Sequence, residues 1–138
     1  MQELTWEQIE IGLSHSFTIN ITAEKIDAFV DICGDKNPLH VDSNYAKAAG
    51  FKDRVVHGMF LASFYSTLVG LYLPGKHALL HSVDSQFKNP AFISDTLTIS
   101  GKVTHKNDAY KQMEIKASIK NQDEQTLSKA LIKTGVLK

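Results

Sequence analysis

The run Gly58-Met-Phe-Leu-Ala-Ser-Phe-Tyr-Ser-Thr-Leu-Val-Gly-Leu-Tyr-Leu73, closed by Pro74-Gly75, decides how the rest of this 138-residue sequence is read. Its apolar residues fall on every side of a helical projection, so the helix has no face to offer water and must be wrapped by other structure. Ser63, Ser66, Thr67 and Gly70 interrupt it and Pro74 stops it, short of the ~20 apolar residues that a membrane-spanning helix needs. It is expected to be a central, buried helix.

Downstream, the hydrophobic period falls to two. Leu79, His81, Val83, Ser85 and Phe87 alternate with more polar neighbours until Pro90, and Leu97, Ile99 and Val103 continue the alternation with Gly101 as a candidate bulge. Met113, Ile115, Ala117 and Ile119 make a third strand and Leu127 to Val136 a fourth, separated by polar turns at Lys106–Asp108 and Asn121–Glu124. Upstream, Phe17, Ile19 and Ile21 supply another strand. Thr22 caps an amphipathic helix to about Cys33, with Ile26, Phe29, Val30 and Cys33 on one face. Pro38 disfavours helical geometry at Asn37, so Gly34 to His40 reads as a structured loop; Ser43 then caps a short turn ended by Gly50. Short turns between consecutive strands favour antiparallel pairing, and helices gathered ahead of the strands favour an α+β layering. A curved antiparallel sheet around one long helix follows, with residues 1–138 as one domain.

Composition excludes several classes of function. The apolar fraction is 43% and the charged fraction 22%, typical of a folded globular chain. Fifteen Lys plus Arg balance fifteen Asp plus Glu, so no net field draws it to nucleic acid or to an anionic membrane. Its single cysteine, Cys33, points to a reducing compartment, and the first twelve residues lack the basic start and apolar core of a secretory signal, so the cytoplasm is expected. There is no GxGxxG, no Walker-type loop, no HExxH and no cysteine–histidine cluster, which leaves nucleotide cofactors and metals without support.

The chemistry concentrates in Gly34-Asp-Lys-Asn-Pro-Leu-His40-Val-Asp42. A carboxylate is an available base at neutral pH and an imidazole can both take and give a proton. Five positions apart across a proline-stiffened loop, Asp35 and His40 can aim at one cavity and activate one water; read blandly, Asp35 closes a turn and His40 packs. In Val55-Val-His-Gly-Met59, Gly58 stands at the start of the wrapped helix, where its N–H is unpaired and favours negative charge. Such an amide beside a thioester carbonyl would stabilise an enolate-like oxygen, a role worth about 3 kcal/mol in comparable sites. Alternatively Gly58 only permits close packing, and His57 reads best as a capping or supporting residue.

Phe29-Val-Asp-Ile-Cys-Gly-Asp-Lys-Asn-Pro-Leu-His40, followed after five residues by Ala46, resembles the signature of the MaoC-like, R-specific enoyl-CoA hydratases. Val56-His-Gly-Met59 and Phe87-Lys-Asn-Pro-Ala-Phe-Ile-Ser-Asp-Thr-Leu97 resemble the same family, so the likeness runs from about residue 15 to the C-terminus. One departure is Ser94-Asp95, where many members carry Gly-Asp. The resemblance implies a hot-dog fold, a homodimer, and a thioester carried on CoA or acyl carrier protein. It further implies Asp35 and His40 as the hydrating pair, Gly58 as oxyanion donor, and Ser66 as a support for the pair, with Asn37 and Ser63 as weaker positioning residues. Phe60, Phe64, Tyr65 and Leu68 read as core, or as lining of an acyl tunnel.

The expected reaction interconverts trans-2-enoyl and (R)-3-hydroxyacyl thioesters, with no cofactor. Two rivals use the same scaffold: a hot-dog thioesterase, which releases free thiol, and a non-catalytic acyl-thioester-binding module, which binds without turnover.

Overall fold

The computed structural model describes Met1–Lys138 throughout. In chain order it contains a short 3-10 turn at Trp6–Gln8, then β1 (Ser14–Asn20), α1 (Ala23–Cys33), α2 (Pro38–Val41), α3 (Ser43–Ala48), α4 (Gly58–Leu71), β2 (Ala78–Phe87), β3 (Thr96–Asn107), β4 (Gln112–Lys120) and β5 (Thr126–Val136). The five strands form one antiparallel sheet in the order β1-β3-β4-β5-β2. The sheet packs around α4, which is the hot-dog arrangement.

Short turns do pair β3 with β4 and β4 with β5, as consecutive strands should. β2 and β3 do not pair; β2 crosses to the far side of β5 and leaves an unpartnered edge. The inward row of the sheet is Leu97, Ile99, Val103, Met113, Ile115, Ile119, Leu127 and Ile132, all fully buried. α4 meets it with Tyr65 and Leu68, also fully buried, and Phe60 and Phe64 belong to the same core. Tyr65 donates its hydroxyl to Ser128 Oγ at 2.8 Å, and burial pushes its pKa up to about 12. Tyr65 and Leu68 are core, whereas Phe60 and Phe64 join that core and also border an apolar cleft beside α1.

Gly101 is not a bulge. It pairs in register with His15 and Ala117, and the shift in β3 falls between Val103 and His105. A Cβ at Gly101 would stand 2.6 Å from Leu68 Cδ2 and 3.0 Å from Ile115 Cγ2, so its missing side chain lets α4 come down onto the sheet.

Around the polar segment two local expectations change. Thr22 caps α1 as expected, its side chain accepting from the Lys25 N–H, and Gly34 ends that helix with φ 79°. Pro38, however, begins a helix: it is the first residue of α2, where the missing N–H costs nothing, and Asn37 caps it by accepting the Leu39 N–H at 3.0 Å. The cap of α3 is Asp42 and not Ser43, with Asp42 Oδ1 accepting from the Tyr45 N–H at 3.1 Å. Ser94 takes φ 74°, a left-handed geometry that glycine adopts more freely. Asp95 is buried and holds the turn by accepting the Phe92 N–H and the Gln122 amide.

Candidate active site

Asp35 lies in the link between the left-handed end of α1 and the capped start of α2, and its own side chain helps to fold that link. Oδ1 accepts the Asn37 N–H at 3.1 Å, an Asx turn that leaves Oδ2 free. One helical turn later His40 projects from α2, and its Nε2 stands 3.7 Å from Asp35 Oδ2. His40 Nδ1 is 2.6 Å from the Val55 carbonyl, and because a carbonyl only accepts, the proton sits on Nδ1. In the neutral ring Nε2 is then a bare acceptor facing a carboxylate oxygen. Two acceptors at this separation suit a water that lies roughly 2.8 Å from each and donates one O–H to each. With both hydrogens engaged, that oxygen is left to attack.

His57 packs behind them. It is only 2% exposed, and its ring stacks on His40 with centroids 3.8 Å apart and planes inclined 24°. Its Nε2–H donates to the Asp35 carbonyl at 3.1 Å, which leaves Nδ1 buried with no partner. An orphaned buried acceptor costs about 1–3 kcal/mol. Burial holds the His57 imidazole below its usual pKa, with the nearby His40 adding to that and the contacts to Asp35 opposing it. His57 occupies the N-cap position of α4, yet its side chain caps nothing; the capping part of the expectation fails because the ring turns toward Asp35.

Gly58, the first residue of α4, has no backbone acceptor within the chain for its N–H. A Cβ there would meet the Phe87 ring at 3.2–3.3 Å, so glycine serves close packing as well as an open amide. Asn37 stays beside the pair as the cap of α2. Ser63 is turned away, its hydroxyl donating to the Phe60 carbonyl at 2.6 Å. Ser66 is exposed two turns from Gly58, about 12 Å along α4, and its hydroxyl makes no hydrogen bond to Asp35 or His40 of its own chain.

Ligand atoms of Asp35, His40 and His57 lie within 4.8 Å of one another, a grouping that sequence spacing did not reveal. The nearly parallel stack makes the two rings' lone pairs run side by side instead of converging, and each ring has one nitrogen committed to a carbonyl. The trio is therefore poorly shaped as a metal chelate. An apolar cleft of about 420 Å³ adjoins the site between α1, α4 and β1, lined by Ile19, Phe29, Ile32, Phe60 and Phe64 among others. Phe29 and Phe60 stack on each other, and Phe29 also meets His57 edge-on, so they form a wall between cleft and imidazoles.

The structure brings Asp35 and His40 together, as their spacing suggested, through contacts that the spacing did not show. The Val55 carbonyl and the His57 ring reach the pair only through tertiary folding. The available signal was a histidine beside glycine at the mouth of a buried helix.

Comparison with known proteins places the fold in a family. An (R)-specific enoyl-CoA hydratase from Aeromonas caviae is 36% identical over 98 residues, 71% of this chain and 73% of the relative. One from Rhodospirillum rubrum is 38% identical over 99 residues, 72% of this chain and 69% of the relative. The solved (R)-hydratase of A. caviae, involved in PHA biosynthesis, superposes with a TM-score of 0.91 at 28% identity, covering 94% of this chain and 98% of that one. Residues 7–125 match the family described as the MaoC like domain, so the likeness first carried by three short motifs extends over most of the sequence, and the protein belongs to the MaoC-like family.

Proposed function

We propose that this protein is a hydro-lyase that interconverts trans-2-enoyl and (R)-3-hydroxyacyl thioesters. The observation that carries the reading is the pair of facing acceptors, Asp35 Oδ2 and His40 Nε2, 3.7 Å apart, with His40 stacked on His57, the residue before the open amide of Gly58. In hydration the pair orients a water and takes one of its protons as the oxygen bonds to C3. The electrons of the C2=C3 bond move toward the thioester carbonyl, whose oxygen receives the Gly58 N–H, and the pair returns a proton to C2. Dehydration is the reverse. The Nδ1–H bond to Val55 keeps the His40 ring in place throughout, so the proton moves through Nε2 alone.

The substrate is proposed to be a CoA or acyl-carrier-protein thioester, its alkyl part reaching toward the cleft beyond Phe29 and Phe60. A single core running from Trp6 to Val136 supports reading residues 1–138 as one domain. A homodimer is proposed on three features: the unpaired edge of β2, its exposed Leu79, Leu80 and Phe87, and an exposed stripe of Met59, Ser63 and Ser66 on α4. Ser66 would then act, if at all, across that interface. No helix is long and apolar enough to cross a membrane. The cytoplasm is proposed from the free, exposed thiol of Cys33.

The test is spectroscopic loss of the conjugated enoyl thioester by wild type, Asp35→Asn and His40→Ala. Wild-type hydration, with a loss of about 10³-fold or more in each folded variant, supports the proposal, and near-normal rates in either variant refute it. Free thiol without 3-hydroxyacyl product would instead identify a thioesterase, and saturable binding without turnover a binding module.

A further inference from the structure

We propose that His57 is the positioning residue of this site: a neutral imidazole that fixes the Asp35 link and the His40 ring relative to the open end of α4. The inference rests on the hydratase reading above and adds a residue to it.

His57 touches both halves of the acid–base pair. Its Nε2–H holds the Asp35 carbonyl at 3.1 Å, and its ring lies flat against His40 at 3.8 Å. Its own backbone is the N-cap of α4, one residue before Gly58. Three reacting groups drawn from separate stretches of chain are thereby tied to one residue, the carboxylate and imidazole through its side chain and the amide through its backbone. Phe29 presses on it edge-on at 5.0 Å and closes the other side. The ring must stay uncharged to do this, because a cation stacked on His40 would oppose the imidazolium that forms when His40 accepts a proton. The surroundings enforce neutrality: His57 is almost wholly buried and its Nδ1 has no partner. A residue present only to fill space would leave no such orphan, since phenylalanine would pack there without it. His57 is not expected to exchange protons with substrate.

His57→Phe and His57→Gln separate the functions. Phenylalanine keeps the flat ring and loses the donor, whereas the glutamine amide can place an N–H near the Nε2 position. His57→Phe is expected to keep its Tm and a KM within about twofold while kcat falls about 10²-fold, the loss associated with misplacing a reacting group by about 1 Å. His57→Gln is expected to recover most of that kcat. Should the phenylalanine variant fail to fold, His57→Asn replaces it, because its shorter amide does not reach the Asp35 carbonyl; Asn low and Gln high is the expected pattern. A folded His57→Phe with wild-type kcat, or Gln no better than Phe or Asn, overturns the inference. Wild type unable to hydrate any enoyl thioester overturns the hydratase reading together with it. An active wild type with a fully active His57→Phe overturns the role of His57 alone.

Discussion

The two ends of α4 are built on opposite principles. Toward its C-terminal half the helix is sealed against β3 and β5 by the fully buried Tyr65 and Leu68, and the Tyr65 hydroxyl is hydrogen-bonded. At Gly58 the helix opens on a free amide, a half-exposed carboxylate, two stacked imidazoles and an unpartnered ring nitrogen. The sealed end supplies stability, and the open end has features that cost stability and are held in place by the rest. Substitutions at the two ends should therefore fail in different ways.

The largest effect belongs to the open end. Asp35→Asn should lower kcat about 10³-fold or more, equivalent to about 4 kcal/mol, while Tm stays near wild type because the side chain is 50% exposed. Leu68→Ala should do the reverse. It empties the space above Gly101 and should cost about 2–5 kcal/mol in denaturant unfolding, with kcat per folded molecule unchanged. Tyr65→Phe removes one buried hydrogen bond but leaves Ser128 its contact with Ser85, so about 0.5–1.5 kcal/mol is expected, again without a change in kcat. A fall in kcat for either core variant would mean that the ends are not separable.

The smallest effect is a pH dependence of stability. Burial keeps the folded-state pKa of His57 below that of the unfolded chain, so below about pH 6.5 the unfolded state binds more protons. The His57 contribution is thus present above that pH and is lost as pH falls toward the folded-state value. Unfolding of wild type and His57→Gln at pH 7 and pH 5.5 should give a steeper decline in wild type, and parallel declines would contradict the assignment.

The sealed end was the legible one. A helix apolar on all sides, followed by strands of period two, constrains the architecture because burial leaves few alternatives. What escaped reading depends on pairs of residues distant in sequence. Nothing local says that β2 crosses to β5, or that Gly101 is small to admit Leu68 instead of to bend a strand. Pro38 was ambiguous in principle, since the same fixed φ that breaks a helix interior suits its first turn. Asp42 and Ser43 are adjacent residues, either able to cap, and only the backbone angles choose between them. At the open end the Asp35 and His40 spacing could be seen. The Val55 carbonyl that sets the tautomer, and the His57 ring that joins the pair, lie 15 and 17 residues from His40 and could not be placed by spacing.

The most direct test is a double-mutant cycle on the hydration rate with Asp35→Asn, His40→Ala and the two combined. If both side chains hold the same water, either loss alone disables the step, and the double variant should be about as slow as the worse single one. Losses that multiply independently, or a single variant that still hydrates at close to the wild-type rate, would contradict a shared water.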